Sequence, residues 1–398
     1  MGPTDSSYFG ELDISSDKSV RFQFAEHVRI ITMKNDAKAD YIQFTILTTL
    51  FTVGTSILIT PSSLAQALNQ DAWLVPFFSI IPAVIFLGVY KWLFNHQPNK
   101  TIVEKMQEIL GSWFGTCLSI LFIITAFLAA AMVLYDVSRF IKTVFMPETS
   151  VIFINSLFTL LLVYGLMSGF NTLVRMVQIM FPFCVLLFVM MVIALIPEIK
   201  IQNIQPIFEA PLYKYTYSTL SLASIVYFPL IFFLMLQPKE LQHPKNSFKS
   251  FIVGVFIGSL INASIILLNI LVVGSNVTSI QEYPAYHLAQ KIEIGGFITR
   301  VEVVIALIWL LTSFVKLLVY FHSAFLGFTQ ILNIKHKKSF VIPMAFLLIV
   351  ISVDIFPNSI YENKFNATVW IGWITTFAIG LPVLLIVIGV LKKRIKGK

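Results

Sequence analysis

Ten apolar stretches, each close to the length of one bilayer crossing, constrain this chain more than any motif does. Windows of about 20 residues place them at 42–64, 73–94, 114–139, 150–167, 174–197, 218–236, 249–274, 298–328, 339–355 and 367–391. A bilayer core offers no water to backbone N–H and C=O groups, so such stretches must satisfy them internally, as helices. The expected fold class is therefore an all-α polytopic membrane protein. Composition agrees: 57% of residues are hydrophobic and 12% are charged, whereas a globular domain carries about 25% charge. Cys117 and Cys184 fall in different apolar stretches, which leaves no disulfide or metal framework.

The first and sixth stretches are interrupted at corresponding places in the two halves. The first reads VGTSILITP at residues 53–61 and the sixth STLSLASIVYFP at 218–229, each combining small polar residues with a following proline, Pro61 or Pro229. Five spans per half is an odd number, so the second half would be inverted relative to the first. The predicted topology is ten helices in a LeuT-like five-plus-five inverted repeat, with helices 1 and 6 discontinuous.

A broken membrane helix exposes free C=O groups on one side of the break and free N–H groups on the other, with helix dipoles to match. A zwitterionic amino acid suits both ends. Gly54, Thr55, Ser56 and Ile57 are the candidate binding residues of the first break, where N–H groups would receive a carboxylate. Ser221 and Ser224 would line the opposite wall, with Tyr227 and Phe228 capping an apolar pocket and Thr312 completing the set. Small residues also let membrane helices pack closely. For any one serine that reading is the stronger; for the Gly54 segment we favour the site, because a proline follows it.

Lys316 lies inside the eighth stretch, and residues 312–320 contain no acid. Two readings stand. Its stem carries the charge toward the interface past His322, or, in the arrangement that a resemblance to LeuT-like permeases implies, with the eighth stretch facing the broken first, its ammonium is a tethered cation that stabilises the unwound carbonyls near Gly54 without sodium. Asp136 and Arg139, three residues apart on the third stretch, are expected to face each other near its outer end. Glu302, Arg300 and Asp354 read as interfacial, so no carboxylate is expected at the midplane. Residues 201–217 and 277–296 are long enough to cover the mouth of a site, and the second has helix-like spacing suited to a gate or docking surface.

An even number of spans puts both termini on one side. Assigning that side as cytoplasmic places most of the 28 basic residues there, including Lys335, Lys337, Lys338, Lys392, Lys393 and Arg394. The net charge of +8 then suits an anionic lipid surface and calls for no nucleic acid. Three regions are expected: a cytoplasmic extension at 1–39, disordered; a transmembrane domain at 40–391; and a basic tail at 392–398. Residues 1–32 lack the apolar core of a signal peptide. Met33 followed by KNDAKAD reads as the more economical start, the alternative being an interfacial helix at 20–31.

From about Asp40 onward the chain resembles the endospore germination permeases, the B subunits of nutrient germinant receptors, a branch of the amino acid/polyamine/organocation superfamily. The matching elements are VGTSILITP; PNKTIVEKMQEILGSWFG at 98–115; SGFNTLVRMVQIMFP at 168–182; and RVEVVIALIWLLTSFVKLLVYF at 300–321. One departure is VYFPLIFFLML in the sixth stretch, where many relatives carry a glutamate; no role for that acid transfers. The resemblance implies a small nutrient ligand, partner A and C subunits, and the inner spore membrane.

No GxxxxGK[ST], HExxH, GxSxG or paired-cysteine signature is present, and the six histidines are scattered. No enzymatic activity and no cofactor are expected. Two functions remain: a receptor that senses a nutrient, such as an amino acid, and a permease that transports it.

Overall fold

A glycine with positive φ sets the course of the first apolar segment. The computed structural model describes residues 39–241, 247–292 and 300–396. Helix α1 (Tyr41–Val53) starts at a capping box in which Asp40 and Gln43 exchange side-chain and backbone bonds, and it stops at Gly54, whose φ is 39°. Helix α2 (Ser56–Leu68) resumes two residues later and contains Pro61. The first break is thus made by Gly54 alone. Pro61 sits inside a continuous helix, contrary to the expectation that it helps unwind the chain.

After a tight turn at Asn69–Leu74, helix α3 (Ile80–Asn95) completes a 55-residue helical segment. A short helix, α4 (Ile102–Leu110), precedes α5 (Ser112–Val144). It opens on a capping box between Thr101 and Glu104, a signal present in TIVE. Its buried Lys105 donates to the Leu93 carbonyl at 2.6 Å, and burial pulls the pKa of that amine down to about 8. Then follow α6 (Val151–Ser168) and α7 (Phe170–Leu195).

The sixth stretch is α8 (Leu212–Val226), a 3-10 stretch Phe228–Phe232, and α9 (Phe233–Glu240). Its break lies at 227–232, beyond the small-residue run, so Ser221 and Ser224 stand within regular helix. Helix α10 (Ser247–Leu268) ends in a π turn; α11 (Ser275–Ile280) and α12 (Pro284–Ala289) are short. Residues 293–299, part of the proposed gate, lie outside the described residues, as do 1–38 and 397–398 with their expected extension and tail end. Helices α13 (Glu302–Ile331) and α14 (Val341–Asp354) follow. The last segment runs through α15 (Ser359–Phe365), α16 (Ile371–Thr375) and α17 (Leu381–Lys396), joined by π turns at Asn366–Trp370 and Thr376–Gly380.

Apart from one isolated bridge between Ala39 and Leu241, regular structure among the described residues is helical. Among the described residues, eight segments are long and apolar enough to cross a membrane. The number differs from the ten expected for two reasons. The first two stretches form one helical run, and α14, at 14 residues, is short for a crossing.

Packing is closest where side chains are smallest. Gly254 and Gly258 on α10 let it lie along α1, where an added Cβ would come within 2.6 Å of Thr45 or Thr52 atoms. Helix α13 lies along α5 and also touches α1, which puts Lys316 beside the first break. Away from the break, buried Asp71 accepts from the Phe208 and Glu209 N–H groups, both at 3.0 Å, and from the Tyr215 hydroxyl, fixing the 196–211 connection over the end of α2.

Candidate functional site

Breaking α1 from α2 frees the carbonyls of residues 52–54, and side chains from two other helices meet them and the Thr55 carbonyl at the start of α2. Asn262 Nδ2 on α10 donates to Thr52 O at 3.0 Å. The Ser56 hydroxyl lies 2.6 Å from Val53 O and 2.9 Å from Asn262 Oδ1, with one proton to serve either. From α13, Thr312 Oγ1 is 3.0 Å from Gly54 O and equally near its own Trp309 carbonyl, and Trp309 Nε1 donates to Thr55 O at 3.2 Å. All these groups are buried, where an orphan carbonyl would cost about 1–3 kcal/mol.

The second break is met the same way. Trp370 Nε1 donates to Ser224 O at 3.2 Å, Tyr90 to Phe228 O at 3.3 Å and Ser323 to Phe232 O at 3.2 Å. A further carbonyl, Ile225 O, receives the Lys316 ammonium at 3.0 Å. Lys316 is 2% exposed, its Nζ lies 3.4 Å from the Thr55 hydroxyl, and the Phe51 ring centre is 5.8 Å away. Its side chain does not run toward a helix end. The expectation that it holds the carbonyls near Gly54 also needs correction: those are held by Thr312 and Trp309, and the ammonium spans from the first break to the second.

Between the two broken segments lies a small cavity of about 70 Å³, partly open to solvent. Its walls include Thr55, Ser56 and Thr60 of the first segment, Met132 and Asp136 of α5, Ile225 of α8, Lys316 and Tyr320 of α13, and Glu362, Asn366 and Trp370 of the last segment. The last two are the first and last residues of the π turn Asn366–Trp370.

Of the candidates read from sequence, Thr55, Ser56 and Lys316 line this cavity. Gly54 and Thr312 lie just behind them. Ile57 packs in the apolar cluster that contains Trp309 and Phe140. The Ser224 hydroxyl turns back to Ser221 O at 2.7 Å, and neither serine lines the cavity. Nor do Tyr227 and Phe228: the tyrosine hydroxyl meets Ser259 Oγ at 3.0 Å, and the phenylalanine ring packs on Phe86 with centroids 4.5 Å apart. With α8 helical through Val226, these two aromatics turn toward α3 and α10 instead of the site.

Two carboxyl groups were missed as site residues. Asp136 and Glu362 both line the cavity and meet side chain to side chain. The expected Asp136–Arg139 pair does not form; Arg139 Nη2 binds Glu282 Oε1 at 2.7 Å and Nη1 binds Glu362 Oε2 at 3.1 Å. Arg139 thereby ties Glu282, two residues before α12, to Glu362 of α15.

A family profile described as spore germination protein matches residues 38–360, which include both breaks and Lys316. The chain belongs to this spore germination permease family. Curated relatives include spore germination protein KB of Bacillus subtilis (strain 168), 24% identical over 89% of this chain and 95% of the relative. Spore germination protein B2 of the same organism is 21% identical over 91% of this chain and 98% of its own length. Among solved structures, Mhp1, a nucleobase-cation-symport-1 family transporter in a closed conformation with bromovinylhydantoin bound, shares the fold with a TM-score of 0.59. It is 13% identical, covering 87% of this chain and 78% of that one. This germination permease therefore has a transporter fold of the LeuT-like kind, as a multi-pass membrane protein.

Proposed function

We propose that this germination permease is the B-type subunit of a nutrient germinant receptor, binding a small nutrient, most simply an amino acid, in the cavity between its two broken helices. The observation that carries the reading is the cavity: it lies between the two broken segments, lined by Thr55 and Ser56 of the first, Ile225 of the second and Lys316 of α13. Ten crossings follow if the 55-residue segment crosses twice, turning at 69–74, and if α14 crosses as a short helix. A five-plus-five inverted repeat then relates the Gly54 break to the 227–232 break. The basic residues favour cytoplasmic termini, and membership of the family favours the inner spore membrane with A and C subunits as partners. Binding, with no catalytic step, suffices for this role.

Likeness to a transporter favours a second reading, in which the same cavity serves a permease. The test is germination of spores carrying this receptor alone against amino acids, nucleosides and sugars, with uptake of the active compound measured in vesicles. A receptor gives germination on one compound class without accumulation in vesicles. Accumulation without germination supports the permease.

A further inference from the structure

We infer that the last turns of α3 form a site for an anionic phospholipid, in the leaflet on the side of the basic C-terminal tail; this rests on the second crossing proposed for the first segment and holds for a receptor and a permease alike. Lys91, Trp92, Asn95 and His96 line an open groove of about 440 Å³. All four lie on one side of the helix. Toward the middle of α3 that side continues through Ile81, Val84 and Ile85, which are 61–66% exposed and so offer acyl chains an apolar track. Trp92 and His96 stack with ring centres 4.4 Å apart, as amphipathic rings do at headgroup level.

The charge around this groove is positive. Lys91 is exposed and joins none of the described ion pairs. Helix α17 packs against α3, with Gly389 so close that an added Cβ would lie 3.2 Å from Trp92 Cη2, and the exposed Lys392 follows three residues later on the same face of α17. Free carbonyls at the end of α3 would repel an anion, but the Lys105 ammonium binds one of them, Leu93 O, at 2.6 Å. Glu108, the acid that acts on His96, is held by Lys100 and Gln97. A headgroup with net negative charge complements such an end; a zwitterionic one does so less.

The opposite side of α3 gives the site a consequence. There Phe86 packs on Phe228 and Tyr90 donates to Phe228 O, so a lipid that steadies α3 also braces the second break.

A photoreactive probe at Val84 tests this, because a lipid with its headgroup at Lys91 lays its chain there, two helical turns away. Val84→Cys, with Cys117 and Cys184 replaced by serine, is labelled with a benzophenone maleimide. The full-length protein is irradiated in nanodiscs of dioleoyl phosphatidylcholine containing a minor share of phosphatidylglycerol with the same chains, and the lipid adducts are identified by mass spectrometry. Each lysine near a bilayer surface favours an anionic lipid about fivefold, so Lys91 and Lys392 together should enrich phosphatidylglycerol in the adducts about 25-fold over its share. Lys91→Gln should lower the enrichment about fivefold, whereas Lys91→Arg, or Lys335→Gln beyond α13, should leave it unchanged. Lys91 is exposed, so neither substitution there disturbs packing. Adducts in proportion to bilayer composition, or an enrichment that Lys91→Gln does not alter, overturn the assignment. So does competition by soluble glycerol 3-phosphate, or a protein adduct in place of the lipid when the probe is irradiated in native membranes.

Discussion

Gly54→Val abolishes the nutrient response of spores that still contain the protein at its normal level. The reason is geometric. An added Cβ would lie 2.5 Å from Lys316 Cδ and 2.7 Å from the Phe51 carbonyl, and the backbone φ of +39° is one that β-branched residues avoid. The stem of Lys316 must then move, and its ammonium leaves Ile225 O. Strain and displacement together are on the order of 3 kcal/mol, so the expected shift in dose–response is about 100-fold or more. Gly88→Val is the matched control, because a Cβ there meets nothing within 4 Å; it should leave the response intact. A normal response from Gly54→Val spores with immunoblot-verified protein would remove this glycine from the mechanism.

Lys316→Met keeps the apolar stem and deletes the charge, leaving Ile225 O without its donor. A buried acceptor stripped of its partner costs about 1–3 kcal/mol, so the response should need a nutrient concentration roughly 10- to 100-fold higher. Lys316→Arg should recover only part of this. The stem passes close against Gly54, and the guanidinium is a planar fork wider than the ammonium that sits between Ile225 O and the Thr55 hydroxyl. A native curve for Lys316→Met at matched protein levels would mean that the charge linking the two breaks is dispensable.

Length and apolarity made the helical membrane fold legible, because one bilayer thickness selects helices of one size. Gly54 was legible too, since an interrupted apolar run leaves few explanations. The cavity's charges were not. Asp136 and Arg139 are neighbours by helical spacing, yet Arg139 pairs with Glu362, 223 positions away; local periodicity carries no record of such a partner. Trp309, Trp370 and Asn262 stand in apolar stretches with no sequence pattern that marks them, and only tertiary packing shows that their N–H groups meet broken-helix carbonyls. Tyr227 and Phe228 went astray because the break was placed at the small residues, a few positions early. Helix α4 carried a readable capping box at Thr101 and Glu104, overshadowed by the longer apolar stretches around it.

Nutrient protection of a cysteine placed in the cavity tests the central claim most directly. With Cys117 and Cys184 replaced by serine, Met132→Cys puts a thiol on the α5 wall, and Glu148→Cys puts a control thiol on the exposed connection between α5 and α6. The rate of modification by a small methanethiosulfonate reagent is measured with and without the nutrient that triggers these spores. Occupancy of the cavity should slow reaction at position 132 by about tenfold at saturating nutrient, where some nine-tenths of sites are filled, and leave position 148 unchanged. Equal rates at position 132 with and without nutrient, in protein that still supports germination, would contradict binding between the two broken helices.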